Sequence, residues 1–260
     1  MSNDNFSLTF LGTGSVVPNP GGDTASFLLN GIYLVDTGWQ AALNMARLGF
    51  DPMALDTVFL THCHHDHYLG LAGIFFYLRM RRAQHPNRPP LKVVGPADDV
   101  QRVVDLARAY LQTDRFPELE CFPETCPLQP GASLPVGVFQ VDTAPSTHPV
   151  QGMAYRFTHR LAGTSVTISG DTAYSPAIVQ LARGCDLLVH EASHGERSAD
   201  PASRWGHSGA PDAARVAAEA GVKRLALVHF QREQHARALA AAQSLFPATF
   251  IPEEGETLTL

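Results

Sequence analysis

One segment constrains this chain more than any other: TVFLTHCHHDHYLG, residues 57–70. Its first residues are apolar and β-branched or aromatic, which reads as a buried strand. The run ends in His62, and His64, Asp66 and His67 follow at once. A chain that sets such side chains at a strand end needs a rigid sheet to hold them there. The spacing H-x-H-x-D-H can place two pairs of ligands around two metal ions. The plain alternative is a polar loop that happens to be rich in histidine.

The rest of the sequence repeats the strand pattern. SLTFLGTG (7–14), ASFLLN (25–30), IYLVDTG (32–38) and LKVVGP (91–96) read as strands. So do FQVDTAPSTH (139–148), GMAYRFTH (152–159), TSVTISGDT (164–172), DLLVHEAS (186–193) and RLALVHF (224–230). Helical patterns fall at 40–48, 69–82, 98–111, 175–183, 210–220 and 233–245. Pro211 and Asp212 in the first turn of 210–220, with Gly221 just past its end, are start and stop signals. Strands dominate the first third and alternate with helices later, so helices covering sheets is the expected architecture. HPNRPP (85–90) reads as a surface loop and FPETCPLQPGASLP (122–135) as a long connection. No internal repeat is visible, and a single domain over 1–260 is expected.

Composition narrows the function classes. A net charge of −6 gives no global basic footprint for nucleic acid. Four of the ten residues in RMRRAQHPNR (79–88) are arginine, a run that reads as a solvated helix end. Cys63, Cys121, Cys126 and Cys185 show no C-x-x-C spacing, which favours a reducing compartment over a disulfide framework. The N-terminus MSNDNFSLTF lacks a basic segment followed by an apolar run. No apolar stretch approaches the ~20 residues that cross a bilayer. A cytoplasmic protein without membrane contact is expected.

Three further strand-like runs end in ligand-type residues: VDTAPSTH in His148, TISGD in Asp171 and LALVHF near His229. Each has an ordinary reading when taken alone. His148 and His229 could be satisfied loop histidines, and Asp171 could cap a following helix. Together with the 62–67 cluster they form a set of imidazoles and carboxylates suited to zinc, manganese or iron.

This order of motifs resembles the metallo-β-lactamase fold superfamily, from LTFLGTGS (8–15) to the terminal GETLTL (255–260). The resemblance implies an α/β fold, a four-layer αββα sandwich with the site along one edge of its two sheets. It implies two divalent metal ions, zinc foremost. His62, His64 and His148 would hold one, Asp66, His67 and His229 the other, and Asp171 would bridge them. Asp36 in LVDTG would support the metal loop. His65 is expected to be a bystander, and Cys63 a small residue packed under the loop.

Several segments resemble the ribonuclease Z branch: LTFLGTGSVVP at the start, DHYLGLAG (66–73), SGDT (169–172), HEAS (190–193), GHSG (206–209) and VKRLALVHF (222–230). Ala72 stands where that branch has proline. By this resemblance Glu191 orients His207, which stabilises charge and protonates a leaving oxygen, while Asp66 helps orient the nucleophile. The ordinary reading of His207 is a residue before a helix that Ser208 caps. His194 could reach the pocket or be solvated.

The chain also departs from that branch. Short ribonuclease Z enzymes carry a tRNA-gripping arm between the third-motif His and the bridging Asp. Here VQGMAYRFTHRLAGTSVTIS, read as two strands and a turn, fills that interval. The expected activity is therefore hydrolysis of a phosphodiester in a small molecule, short nucleotide or RNA, with tRNA disfavoured. A homodimer is compatible with the branch. A lactone or thioester hydrolase on the same metals is the competing enzyme reading. A non-catalytic binding module is the competing class, and the intact ligand set argues against it.

Overall fold

The computed structural model describes residues 6–200 and 202–260. The first sheet is built from β1 (Ser7–Gly12), β2 (Ser26–Leu29), β3 (Tyr33–Val35), β4 (Thr57–Phe59), β5 (Lys92–Pro96) and β6 (Glu124–Leu128). The second takes β7 (Ser133–Val136), β8 (Phe139–Pro145), β9 (Met153–His159), β10 (Ser165–Ile168), β11 (Leu187–Glu191), β12 (Arg224–Val228) and β13 (Thr249–Phe250). The last strand, β14 (Thr257–Thr259), returns to pair antiparallel with β1. The strand orders are β14-β1-β2-β3-β4-β5-β6 and β13-β12-β11-β10-β9-β8-β7.

The layers follow from which faces are apolar. Phe6, Phe10, Phe27 and Phe59 of the first half meet Phe139, Tyr155, Phe157 and Val189 of the second in one core between the sheets. The outer face of the first sheet packs against α1 (Ala41–Arg47), α3 (Leu71–Met80) and α4 (Val100–Tyr110). The outer face of the second packs against α5 (Pro176–Leu181), α6 (Ala210–Ala220) and α7 (His235–Gln243). The short α2 (His65–Tyr68) lies inside the histidine-rich motif. These four layers are the expected αββα sandwich. None of the described helices is long and apolar enough to cross a membrane.

Most elements sit where the sequence pattern places them, and α6 matches to the residue. Gly221 closes it in the left-handed region, at φ +63°. At its start Asp212 Oδ2 accepts the Gly209 N–H at 2.9 Å, while Ser208, the expected cap, instead donates to the Thr172 carbonyl at 2.7 Å. The long connection expected at 122–135 is wrong in kind. It holds β6 and the start of β7, which carry Pro127 and Pro135. Both strands are sheet edges, where a residue without an N–H costs no ladder bond. The interval between His148 and Asp171 is the β9–β10 antiparallel hairpin, with no arm.

The arginine run is also not simply solvated. The half-buried Arg88 donates to the carbonyl oxygens of Met53 and Leu55, and to Pro89 at 2.8 Å. Arg82 donates to the Arg88 carbonyl. This segment is tied to the backbone beneath it.

Candidate metal centre

Strands β8, β10, β11 and β12 run in one direction, so their carboxyl ends open on one edge. Ligands gather at such edges because only there do several strands deliver side chains to one point. His148 follows β8, Asp171 follows β10, Glu191 ends β11 and His229 follows β12. The first sheet supplies its share from one loop, after β4 and through α2.

All seven predicted ligands converge. His62, His64, His148 and Asp171 form one group, and Asp66, His67 and His229 another, with the ligand atoms of each group within 4.8 Å of one another. Asp171 lies between them. Its Oδ2 is 3.7 Å from His62 Nε2 and 3.5 Å from His67 Nε2, and its Oδ1 is 3.5 Å from His229 Nε2. His64 Nδ1 and His148 Nε2 approach to 3.0 Å, and Asp66 Oδ2 is 3.1 Å from His229 Nε2.

Outer partners fix the rings. His67 Nδ1 donates to Asp36 Oδ2 at 2.8 Å, and His148 Nδ1 donates to the Gly206 carbonyl at 2.9 Å. Each bond puts the ring's lone pair on Nε2, toward the cluster. Asp36 also accepts the Thr61 N–H and hydroxyl, both at 2.8 Å, so one carboxylate anchors the strand end and the motif. The Thr24 hydroxyl donates to the Asp66 carbonyl at 2.8 Å. Asp36 and His229 have φ of +53° and +63°, conformations unusual for residues with a Cβ. Gly170, at φ +61°, has no such latitude to lose: a Cβ there would lie 2.7 Å from that of Thr61. Gly70 lets α3 begin close under the preceding loop, since a Cβ would meet the Thr37 carbonyl at 2.7 Å.

The electrostatics match this geometry. Burial disfavours the charged form of Asp171, yet His229, His67 and His62 outweigh it and hold the carboxyl well below its ordinary range. Burial pushes His62 well down, toward the neutral imidazole that ligates. A buried polar atom left unpaired costs ~1–3 kcal/mol. His62 Nε2, His67 Nε2 and Asp171 Oδ1 are buried without a hydrogen-bond partner, and all three face the cluster. Orphaned imidazole nitrogens around a shared carboxylate are what a divalent metal site needs, and the residues fit one.

Beside the cluster, His207 Nδ1 donates to Glu191 Oε1 at 2.9 Å. Glu191 also accepts the N–H groups of Thr172 at 3.0 Å and Ser193 at 2.9 Å, so it is fully oriented. Burial alone would lower the His207 pKa, but the hydrogen bond and charge of Glu191, with Asp171, raise it above the ordinary value. The nitrogen left free is Nε2.

Other residues sort plainly. His65 is exposed and rests against Tyr68. Cys63 is half-buried, and burial first, then Asp99 and Asp36, push its thiol up to about 12, so it is no thiolate. His194 lies edge-on to His207 with ring centroids 6.3 Å apart and a buried, unpartnered Nε2. Sequence reasoning missed Ser193, whose Oγ is 3.0 Å from His229 Nδ1 and 3.4 Å from His207 Nδ1. Its place two residues after Glu191 was the available signal.

A family model described as beta-lactamase superfamily domain matches residues 32–230. Ribonuclease Z of Brevibacillus brevis is 30% identical over 303 residues, spanning 95% of this chain and 94% of its own. Ribonuclease BN of Cronobacter sakazakii is 28% identical over 311 residues, spanning 97% and 99%. Both alignments are longer than this 260-residue chain, so those relatives carry segments with no counterpart here. Among solved structures, the metallo-beta-lactamase fold protein YhfI from Bacillus subtilis superposes with a TM-score of 0.82, at 24% identity over 99% of this chain and 100% of that one. The short form of human tRNase Z gives 0.76, at 23% identity over 97% and 98%.

Proposed function

The chain belongs to the beta-lactamase superfamily and, within it, resembles the ribonuclease Z branch; from that premise we propose a metal-dependent phosphodiesterase acting on RNA or a short nucleotide diester. The observation that carries this reading is the Glu191–His207 pair, set 3.8 Å from Asp171 by its imidazole nitrogen. An alkoxide is a poor leaving group, and a positioned imidazolium answers that need. Lactones and thioesters need it less.

In this reading His62, His64, His148 and Asp171 would hold one divalent ion, and Asp66, His67, His229 and Asp171 the other, zinc being the favoured metal. When bound, the pair supplies a nucleophile near neutral pH and offsets charge on the phosphoryl oxygens. Asp66, 3.3 Å from His67 Nε2 and 3.1 Å from His229 Nε2, orients the nucleophile. Glu191 holds His207 in one tautomer, and His207 Nε2 passes its proton to the departing oxygen. Ser193 steadies His229.

The relatives are named for ribonuclease activity, which supports a nucleic-acid substrate. The missing arm and the net charge of −6 argue for a shorter substrate than tRNA. Cys63, Cys121, Cys126 and Cys185 are all free, which supports the cytoplasm. A site that draws on both sheets supports one domain over residues 1–260. A homodimer, as the branch implies, would appear as twice the chain's 28.1 kDa in sedimentation.

The test is hydrolysis of bis(p-nitrophenyl) phosphate by protein loaded with zinc or manganese. Turnover that vanishes in Asp66→Ala is expected. A fully metallated protein that leaves the diester intact but opens lactones or thioesters overturns the proposal.

A further inference from the structure

A cleft of about 570 Å³ opens beside His148 and His207. Its walls include Tyr174, Arg204 and Arg215. A second cleft of about 510 Å³ adjoins it, lined by His194, Arg204 and Trp205 among others, and Arg204 belongs to both. His207 lines the first cleft, so a group that takes its proton on leaving phosphorus would lie in this space.

The guanidinium groups here differ from those of the 79–88 run. Among the described residues Arg204 has no acidic partner, and it lies over the exposed Trp205 ring at 5.8 Å. Arg215 lies over the Tyr174 ring at 4.3 Å. Its Nε donates to Glu219 at 2.7 Å, and the Tyr174 hydroxyl bonds the other oxygen of the same carboxylate at 2.5 Å. Arg215 is thus held in place by the Glu219 carboxylate and by Tyr174, whose ring and hydroxyl both meet its guanidinium. Two carboxylates also line the cleft: Asp212 accepts the N–H groups of Ala199 and Gly209 through one oxygen, and Asp200 accepts that of Ala202 through one oxygen. Two guanidinium groups, Arg204 without an acidic partner among the described residues and Arg215 braced by Glu219, each beside an aromatic face, match a phosphate and a base.

We propose that this cleft is the leaving-group subsite, that Arg204 and Arg215 bind a second phosphate of the substrate, and that Trp205 stacks a base. The inference rests on the phosphodiesterase reading above and narrows it. The preferred substrate is then a linear single-stranded oligonucleotide of at least two phosphates, ahead of a cyclic mononucleotide or an isolated diester. The chemistry needs nothing added: the bond from phosphorus to the leaving oxygen breaks, water supplies the new oxygen, and the His207 proton ends on the departing hydroxyl.

The experiment compares metal-loaded enzyme on bis(p-nitrophenyl) phosphate, the dinucleotide ApA and the trinucleotide ApApA. A trinucleotide preference of at least about tenfold in kcat/KM, carried by KM, is the size a stacked base with a phosphate contact gives. That preference should collapse toward unity in Arg204→Ala and Arg215→Ala, and fall several-fold in Trp205→Ala with rescue by Trp205→Phe. The salt dependence of KM should be steeper for the trinucleotide, by roughly 0.7 in logarithmic slope per added phosphate contact. Equal kcat/KM for ApA and ApApA overturns the subsite while leaving the phosphodiesterase intact, as does an undiminished preference in both arginine variants. Turnover of bis(p-nitrophenyl) phosphate with no cleavage of either nucleotide also overturns it. Failure on all three substrates sinks the phosphodiesterase reading, and this inference with it.

Discussion

The two sheets have the same construction and different jobs. In each, three antiparallel ladders are followed by three parallel ones: β14-β1-β2-β3 then β4-β5-β6, and β7-β8-β9-β10 then β11-β12-β13. Helices cover the outer face of each. In this correspondence β3 matches β10, and each is followed by an aspartate, Asp36 in VDTG and Asp171 in SGDT. Asp36 binds Thr61 and His67 from outside the cluster, whereas Asp171 faces both ligand groups from within. The first sheet concentrates its ligands in one loop after β4. The second spreads them over the ends of β8, β10 and β12 and adds the Glu191–His207 pair. The first half is a cartridge; the second is a frame that meets it and sets the Glu191–His207 pair beside it.

The largest effect should come from the residue that joins the two. Asp171→Ala is expected to remove bound metal and lower turnover by at least about a thousandfold, the order of several kcal/mol of lost charge stabilisation. Metal analysis alongside diester hydrolysis checks it. If His229→Ala costs more than Asp171→Ala, the central place given to Asp171 is wrong.

His207→Ala separates proton transfer from metal holding. Metal content should stay unchanged while turnover of a nucleotide diester falls ~100- to 10,000-fold, the usual range for a lost general acid. With p-nitrophenolate, which leaves without a proton, the loss should be much smaller. Equal losses on both leaving groups would remove His207 from that role.

Asp36→Asn and Ser193→Ala weaken corresponding supports in the two halves. Asp36→Asn should reduce metal affinity about 10- to 100-fold, as lost outer partners do. Ser193→Ala, which removes a neutral hydroxyl 3.0 Å from His229, should sit near the lower end of that range. Competition with a chromophoric chelator ranks them, and the reverse order would mean that the second half carries the tighter site.

The sequence was legible where the physics is local. The 57–70 segment announces itself because a strand, its ligands and the next helix are contiguous, and α6 carries its own start and stop residues. His148, Asp171 and His229 are legible only as polar residues ending apolar runs, and the fold is what brings them together. Edge strands β6 and β7 were hidden because prolines there imitate a loop. The repeated topology was invisible because the halves share hydrogen-bond directions, not residues. Ser193 was missed because its role depends on β11 and β12 lying side by side, which the chain order does not state. Arg88 resembled a solvated charge, and only the nearby Met53 and Leu55 carbonyls reveal it as a tie.

The smallest expected effect on the metal site comes from a bond that tests whether the halves are held together by more than apolar packing. Tyr155 of β9 is fully buried, and its hydroxyl donates to the Leu60 carbonyl, just past β4, at 2.9 Å. That bond crosses from one sheet to the other two residues before the first histidine. Burial first, with Asp36 and Cys63 nearby, pushes the phenol well above its ordinary pKa, so it remains a donor throughout the useful pH range. Tyr155→Phe keeps the ring contact with Phe59, at 5.4 Å between centroids, and leaves one buried carbonyl unpaired. The expected cost is about 1–3 kcal/mol of stability. Denaturant unfolding should show it as a lower midpoint at unchanged slope, with metal affinity unaltered. Loss of metal affinity as well would mean that this bond sets the register between the cartridge and the frame.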